Sequence, residues 1–385
     1  MKRPTKYRKI NLKWNKYRTI VFSTLTLSGL IVLIGSFAYR KIDIINFEGS
    51  STVKPLIDAF ATPYLANNSN VDIAVQAGGS GAGLLRVINH HTNFGNYSYF
   101  VDQVATKNQS ACLNERLKTI TLAWDGIGLV YKQPTNCNRD LVISQNNVNL
   151  LYAAFSGHKL ADTNFNYTYA DLVNANDASC NVKLSTYSRA GGSKRSGTAE
   201  AFLHANQIFN FDQFEQKYHL QAQALLNGDY GQDIKTVETA EANSAAWSTI
   251  EKDNLDGSMI YLSMGFILNN WQAIHDRGFK LAGYQGFNGT IVNLTPDNFQ
   301  NEITKTYQWF RPLNTIASLN DLSEASKRFI ESILNPAKND IITKLGFVPL
   351  TKEQLATMRY QVNNPASMWN FSDLDLGYYG AKTKI

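Results

Sequence analysis

The chain has few of the side chains that bind transition metals. Its 385 residues include three cysteines and six histidines. The cysteines, Cys112, Cys137 and Cys180, form no C-x-x-C pair, and the histidines form no H-E-x-x-H motif. Metal sites need such ligands at close spacing, so we expect no metal site and no cofactor. Three cysteines outside a reducing compartment allow at most one disulfide and leave one thiol.

Common catalytic motifs are also missing. Residues 77–83 read A-G-G-S-G-A-G, which does not fit the G-x-G-x-x-G register of dinucleotide sites. Ser80 lies in G-G-S-G-A and therefore forms no G-x-S-x-G nucleophile turn. No His-Asp pair lies beside this stretch to act as a base. We expect binding without turnover, so the chain is predicted not to be an enzyme, with a phosphoryl hydrolase as the catalytic alternative.

Acidic residues are absent from the amino terminus. Residues 1–41 contain ten Lys or Arg and no Asp or Glu, whereas residues 42–385 hold 27 basic and 31 acidic residues. A body with a net charge of −4 disfavours nucleic-acid binding, which needs a basic face to offset phosphate charge. We therefore expect no nucleic-acid partner.

One long uncharged run lies within that basic amino terminus. Residues 19–39 are 21 uncharged and mostly apolar residues, enough for a helix that crosses ~30 Å of hydrocarbon. Eight positive charges precede the run. We predict a basic cytoplasmic tail (1–18), a single-pass transmembrane anchor (19–39), and a remainder on the extracellular face of the cell membrane. A signal peptide cleaved near Ala38 is the alternative. The run ends without the cysteine that lipid attachment requires.

Three turns of small polar residues follow predicted strands and precede predicted helices. They read E-G-S-S-T-V-K-P (48–55), A-G-G-S-G-A-G (77–83) and S-R-A-G-G-S-K-R-S-G-T (188–198). One such turn by itself is usually a helix cap, although its free N–H groups and the helix dipole also suit an anion. Three such turns in one chain favour a site for a tetrahedral dianion, which needs hydrogen-bond donors from several sides and a guanidinium.

The order of the predicted strands and helices favours an α/β protein. Strands alternate with helices, which predicts largely parallel sheets with ligands bound beyond the carboxyl ends of the strands. We also predict a strand through Ile127, Leu129 and Tyr131, a strand over residues 259–268, and a helix over residues 324–345 that ends at Gly346. The last ~35 residues show no clear period, so we interpret residues 351–385 as a carboxyl-terminal extension.

On these motifs, the sequence resembles the phosphate-binding proteins of bacterial high-affinity phosphate ABC transporters. The likeness covers most of residues 45–350, and its most specific parts are residues 49–55, 76–83, 124–130, 189–198 and 329–350. The resemblance implies a periplasmic-binding-protein-like hinged clamp of class II type. Its first domain would comprise residues 42–130 and 260–350, and its second, inserted domain residues 131–259.

The resemblance also implies the ligand-binding residues, namely Ser51, Thr52, Ser80, Ser98, Arg189, Ser196, Gly197 and Thr198. Two of them depart from the family pattern. Arg189 lies seven residues before Ser196, as if three residues were added, so Arg195 is an alternative guanidinium. Ser98 stands where many members have an aspartate that accepts the proton of hydrogen phosphate. Gly81 and Asp125 are further candidates, Asp125 as a substitute acceptor.

The predicted function is an extracytoplasmic solute-binding protein. It would capture inorganic phosphate between its two domains and deliver the ion to the permease and ATPase subunits of an ABC transporter. One alternative is a membrane-anchored, adhesin-like surface protein that kept the clamp fold and no longer transports phosphate. Another is a receptor for a different tetrahedral oxyanion such as sulfate.

Overall fold

The computed structural model describes residues 42–99, 117–161, 165–204, 211–286, 288–302, 307, 309–318 and 322–364. From Ile44 onward these residues form one compact unit. The predicted cytoplasmic tail and anchor, Cys112 and residues 365–385 lie outside the described residues. Within the described ranges, no helix combines the length and apolar character needed to cross a bilayer. The anchor and the division into two domains stay predictions.

The described residues form twelve β-strands, which are β1 (Asp43–Gly49), β2 (Val71–Ala77), β3 (Phe94–Tyr97), β4 (Leu117–Lys132), β5 (Val142–Ile143), β6 (Ser185–Arg189), β7 (Lys235–Thr239), β8 (Ser258–Ser263), β9 (Phe279–Leu281), β10 (Gly283–Gln285), β11 (Ile291–Val292) and β12 (Phe310–Ser318). Eight of them lie in the order β2-β1-β3-β12-β4-β8-β6-β7, with β9 pairing β4 to complete a nine-stranded sheet. A small sheet has the order β11-β10-β5.

The large sheet is mixed rather than largely parallel. Strand β1 pairs in parallel with β3, and β6 pairs in parallel with both β7 and β8. The central strand β4 runs antiparallel to its neighbours β12 and β8. The predicted α/β class is therefore confirmed, but the prediction of largely parallel sheets is wrong at the centre. There long strands connect the two parallel portions instead of alternating with helices.

Strand β4 joins the two portions of the sheet. Its residues up to Gly126 pair with β12, and from Ile127 onward it pairs with β8. A side chain at Gly126 would meet the ring of Phe299, with its Cβ 3.0 Å from the nearest ring atom. The small residue lets neighbouring elements approach at the point where β4 changes its partner. The predicted strand through Ile127 to Tyr131 is confirmed as the second part of β4.

The described residues form fifteen α-helices, which are α1 (Lys54–Asn67), α2 (Ser80–Ile88), α3 (Val148–Ser156), α4 (Tyr169–Val173), α5 (Gly192–Arg195), α6 (Gly197–Leu203), α7 (Phe211–Lys217), α8 (His219–Asn227), α9 (Asn243–Asp253), α10 (Met264–Asn269), α11 (Trp271–Asp276), α12 (Phe299–Glu302), α13 (Glu324–Ile333), α14 (Asn339–Lys344) and α15 (Lys352–Asn363). Short 3₁₀ turns cover Ala178–Cys180 and Pro336–Lys338. The predicted helices that follow the three polar turns correspond to α1, α2 and α6.

Stacked and edge-on aromatic rings fill the core on both sides of β4. Phe47 of β1 stacks on Phe94 of β3 with ring centroids 4.6 Å apart, and Phe329 of α13 meets Phe47 edge-on. In the other portion, Phe202 of α6 stacks on Tyr261 of β8 at 4.5 Å. Such contacts add to the free energy gained from apolar burial. They fix β1, β3, α6 and β8, the elements that end at or flank the polar turns.

Three predictions of secondary structure were wrong in their bounds or type. The strand predicted for residues 259–268 ends at Ser263, and the following residues form α10. The helix predicted for residues 324–345 is divided into α13 and α14, because Pro336 cannot continue a helix through its missing N–H. Part of the extension is helical, since α15 begins at a capping box formed by Thr351 and Gln354.

Two of the three cysteines form a disulfide. Cys137 and Cys180 are both buried and bonded, and the bridge closes a loop with a sequence separation of 43 residues. The prediction of at most one internal bridge is consistent with this pairing.

We expect this bridge to stabilise the protein, because closing a loop of that length removes conformational entropy from the unfolded chain. Replacing both cysteines by serine should lower the free energy of unfolding by about 2–4 kcal/mol, as measured by urea denaturation without reductant. Reductant should destabilise the wild-type chain by a similar amount and leave the double variant unchanged. Equal stability of both proteins without reductant would contradict this prediction.

Candidate functional site

The first polar turn follows β1 and leads into α1. The Ser50 hydroxyl accepts hydrogen bonds from the backbone N–H groups of Thr52 and Val53, at 3.2 and 3.4 Å. These bonds hold the turn in shape at the beginning of α1, as Ser side chains commonly do. Thr52 is buried, and Ser51 is half-buried. The predicted ligand residues therefore lie on a turn that Ser50 stabilises.

The second turn follows β2 and leads into α2. Gly79 has φ +90°, a conformation that favours glycine, and a Cβ there would lie 2.4 Å from the backbone oxygen of Arg195. Ser80 is buried, and its Oγ accepts from the backbone N–H of Ser98 at 3.2 Å and lies 3.3 Å from Ser98 Oγ. A Cβ at Gly81 would lie 2.8 Å from the Lys194 oxygen. The second turn thus contacts the third.

The third turn contains a short helix. The residues between Arg189 and Ser196 include α5, and Ser196 then caps α6 by accepting from the backbone N–H of Ala199 at 3.3 Å. A Cβ at Gly197 would lie 2.3 Å from Ser80 Oγ and 2.6 Å from Ser98 Oγ. The added residues that separate Arg189 from Ser196 are accommodated as a helical turn. The second and third polar turns therefore meet at Gly197 and Ser80.

A residue that the sequence reasoning missed lies at the centre of these turns. Arg311 of β12 is fully buried. Its Nη1 donates to the hydroxyls of Ser98 and Thr198, both at 3.1 Å, and its Nη2 donates to Thr52 Oγ1 at 3.2 Å. Arg311 therefore contacts a predicted ligand residue from each of three separate segments.

Asp125 is the acidic partner of Arg311. The two residues lie opposite each other on β4 and β12, and Arg311 Nε and Nη2 donate to Asp125 Oδ2 at 3.0 and 2.8 Å. Asp125 Oδ1 accepts from the backbone N–H of Gly265 at 3.1 Å. Burial lowers the pKa of Arg311, and the nearby Asp125 opposes this change. Both carboxylate oxygens of Asp125 are thus already used within the protein.

Arg189 supplies a second buried guanidinium. It donates to the backbone oxygens of Ala240 and Tyr261, at 3.1 and 3.2 Å, and to Asn243 Oδ1 at 2.9 Å. No described carboxylate forms an ion pair with it, and its buried Nε has no hydrogen-bond partner among the described residues. Burial lowers its pKa. Arg195, the alternative guanidinium, is exposed.

Asn243 connects Arg189 to the first turn. Its Oδ1 accepts from Arg189, and its Nδ2 donates to Thr52 Oγ1 at 3.4 Å. Just before it, Glu241 places a buried Oε1 that has no hydrogen-bond partner in the described structure. Burial raises the pKa of Glu241, while the adjacent Ser51 and the guanidinium groups of Arg189 and Arg311 lower it. Glu241 is thus a second acidic group in the site.

A cavity of about 300 Å³ adjoins these residues. Polar groups of the first turn and α9 form one part of its wall, and apolar groups of α1, α10 and the segment after α14 form another. The lining includes the polar residues Ser51, Thr52, Asn243 and Ser263 and the apolar residues Phe266 and Phe347. Its volume is at the lower end of the range for small-molecule sites. In the part of the chain that the structure describes, no group of three or more His, Cys, Asp or Glu is positioned to hold a metal ion.

The arrangement favours an anion. Of the two buried guanidinium groups, Arg311 is ion-paired with Asp125, whereas Arg189 forms no ion pair with a described carboxylate, so its charge is available to a ligand. A hydroxyl has one proton and two lone pairs. Because Thr52, Ser98 and Thr198 accept from Arg311, each of them still has its own proton to donate to another group. These three hydroxyls can therefore donate hydrogen bonds to a ligand.

The missed residues gave weak local signals. Arg311 is the one charged residue in the strand sequence F-R-P-L-N-T-I-A-S, and a charge within a buried strand usually has a partner or a function. Glu241 and Asn243 lie in the sequence E-A-N-S. An acidic residue just before a helix is usually interpreted as a helix cap. Their role depends on contacts with Ser51 and Arg189, which are distant in the sequence.

Comparisons with known proteins identify the superfamily of this chain. Residues 39–335 match the PBP superfamily domain, so the chain belongs to that superfamily. It is 33% identical over 376 residues to an uncharacterized lipoprotein, MG412, of Mycoplasma genitalium, covering 92% of this chain and 96% of the relative. It is 32% identical over 79 residues to the phosphate-binding protein PstS of Bacillus subtilis, covering 20% of this chain and 26% of that protein.

The fold is also similar to that of a solved phosphate-transport protein. The crystal structure of an ABC-type phosphate transport receptor from Vibrio cholerae matches with a TM-score of 0.51 at 18% identity, covering 80% of this chain and 100% of the receptor. The resemblance predicted from the motifs is therefore confirmed. The α/β fold of a binding protein is confirmed with it.

The buried pair of Arg311 and Asp125 should control stability. Arg311→Met should lower the free energy of unfolding by about 3–5 kcal/mol, because Asp125 would remain as an uncompensated buried charge. Arg311→Met combined with Asp125→Leu should lose less than the sum of the single changes. Urea denaturation of the full-length variants measures both effects.

The exposed pair of Lys280 and Asp140, at 2.8 Å, is a matched control. Lys280→Met should cost less than about 1 kcal/mol, because exposed ion pairs contribute little. If Arg311→Met were equally mild, the central pair would not hold the site together.

Proposed function

We propose that this chain is an extracytoplasmic solute-binding protein that captures inorganic phosphate and delivers it to the permease and ATPase subunits of an ABC transporter. The proposal treats residues 42–130 and 260–350 as one domain of a hinged clamp and residues 131–259 as the other. It assigns no catalytic step to the chain. The phosphate would be held by the three polar turns and the buried arginines.

The observation that best supports the proposal is that the buried guanidinium of Arg189 has no ion-paired carboxylate among the described residues. A fully buried guanidinium without an ion-paired carboxylate is costly unless a ligand supplies the negative charge. Arg189 keeps an unpaired Nε, and Asn243 connects it to Thr52 at the first turn. An anion bound between Arg189 and the first turn would compensate this charge.

The donor set supports a tetrahedral dianion over a planar or singly charged ligand. Donors come from three segments, with hydroxyls at Thr52, Ser98 and Thr198 and a second guanidinium at Arg311. Charge-assisted hydrogen bonds from several directions match the four oxygens of phosphate. The known phosphate-binding relatives point to the same ligand.

We further propose that the chain is held at the cell membrane by residues 19–39, with its amino terminus in the cytoplasm. The Mycoplasma genitalium relative is named a lipoprotein. The first cysteine of this chain is Cys112, far beyond the apolar run. A transmembrane helix would serve the same anchoring purpose.

Calorimetric titration of the full-length chain tests the ligand. Phosphate should bind with one site per chain, and Arg189→Met should weaken binding about 100-fold, since each hydrogen bond from a charged donor contributes roughly 1.5–3 kcal/mol. Thr52→Val, which removes one hydroxyl, should weaken binding about tenfold. Thermal unfolding checks that both variants fold.

Arg195→Met is the matched control, because its guanidinium is exposed and its loss should leave phosphate affinity unchanged. Sulfate and molybdate are titrated in parallel. Sulfate binding equal to or tighter than phosphate binding would exclude the phosphate assignment. Absence of binding to any of the three anions would favour the surface protein that kept the fold without its ligand.

A further inference from the structure

Hydrogen phosphate and sulfate are both tetrahedral dianions, and they differ in that phosphate carries a proton. A site that donates hydrogen bonds at every position serves sulfate as well as phosphate. To favour phosphate, the site must offer one acceptor with a free lone pair where the ligand's O–H points. The same acceptor also repels sulfate, because no sulfate oxygen carries a proton that could donate a hydrogen bond to it.

Two candidates for this acceptor are already engaged. Ser98 accepts from Arg311 Nη1 through both its hydroxyl and its backbone oxygen, at 3.1 and 3.2 Å. Asp125 uses Oδ2 for Arg311 and Oδ1 for the N–H of Gly265. In either group the oxygen atoms would have to share their lone pairs between the ligand and the donors that they already bind.

Glu241 has a carboxylate oxygen that is free of the bonds that Ser98 and Asp125 already make. Its Oε1 is buried and has no hydrogen-bond partner among the described residues. The side chain crosses from the segment after β7 to the turn after β2, because its Cγ lies 3.7 Å from the position of a Cβ on Gly79. It also interacts with Ser51 of the first turn and with the charges of Arg189 and Arg311. The carboxylate therefore lies among the groups that would surround the ligand.

We propose that Glu241 is the residue that accepts the proton of bound hydrogen phosphate and so sets the preference for phosphate over sulfate. This inference rests on the proposed function, since it concerns the same site. The O–H of the ligand would donate to Glu241 Oε1, forming a charge-assisted hydrogen bond. The arginines offset the negative charge that the carboxylate adds.

The electrostatic setting fits this role. Burial raises the pKa of Glu241, which makes its carboxylate a better acceptor than an exposed one. Ser51 and the two guanidinium groups act in the opposite direction and favour the ionised form. The result is a basic oxygen that remains available to a proton donor.

The test compares phosphate and sulfate affinity of the full-length chain and its variants by calorimetry. Glu241→Gln removes the charge with little change in shape. We expect phosphate affinity to fall about tenfold or more, and sulfate affinity to stay equal or rise, so that the ratio of the two falls. Glu241→Asp keeps the carboxylate and should retain part of the preference.

Glu238→Gln is the matched control, because Glu238 is exposed on β7 and lies three residues before Glu241. It should leave both affinities unchanged. If the wild-type chain binds phosphate and Glu241→Gln keeps the wild-type ratio, this inference is overturned and the proposed function stands. If the wild-type chain does not bind phosphate, the proposed function fails and this inference fails with it.

Discussion

The ion pair of Arg311 and Asp125 is the interaction on which the rest of the site depends. Removing two charges from water costs several kcal/mol for each ion, so such a pair persists only where other bonds satisfy its remaining groups. Here Arg311 also donates to Thr52, Ser98 and Thr198. The same contacts that offset the burial of Arg311 fix three hydroxyls on three segments.

The fold makes this pair possible by running β12 antiparallel to the long strand β4. Arg311 and Asp125 are cross-strand neighbours just before β4 changes its partner from β12 to β8. The charges therefore lie where the two parallel portions of the sheet meet, and the polar turns of both portions lie within reach. Aromatic packing around Phe47 and Phe202 holds these portions on either side.

The sequence predicted the parts of this arrangement that depend on neighbouring residues. The turns around Ser51, Ser80 and Ser196 were found because small polar residues between a strand and a helix have a local signature. Arg311 was not found, because its partners Thr52 and Asp125 are 259 and 186 residues away. The end of β8 at Ser263 was missed for a related reason. An apolar run of that length fits a buried strand or a buried helix equally well, and tertiary packing decides between them.

The contact with Arg311 changes how Ser98 is interpreted at the position where the resemblance implies an aspartate. By itself, a serine could donate or accept, so the sequence left the proton of the ligand without a defined partner. Because Ser98 Oγ accepts a hydrogen bond from the guanidinium of Arg311, its own O–H remains available as a donor. If the site binds phosphate as proposed, distinguishing phosphate from sulfate requires an acceptor other than Ser98, and Glu241 has a buried oxygen without a hydrogen-bond partner among the described residues. The proposed selectivity would therefore depend on three segments that pack together, and no single motif contains it.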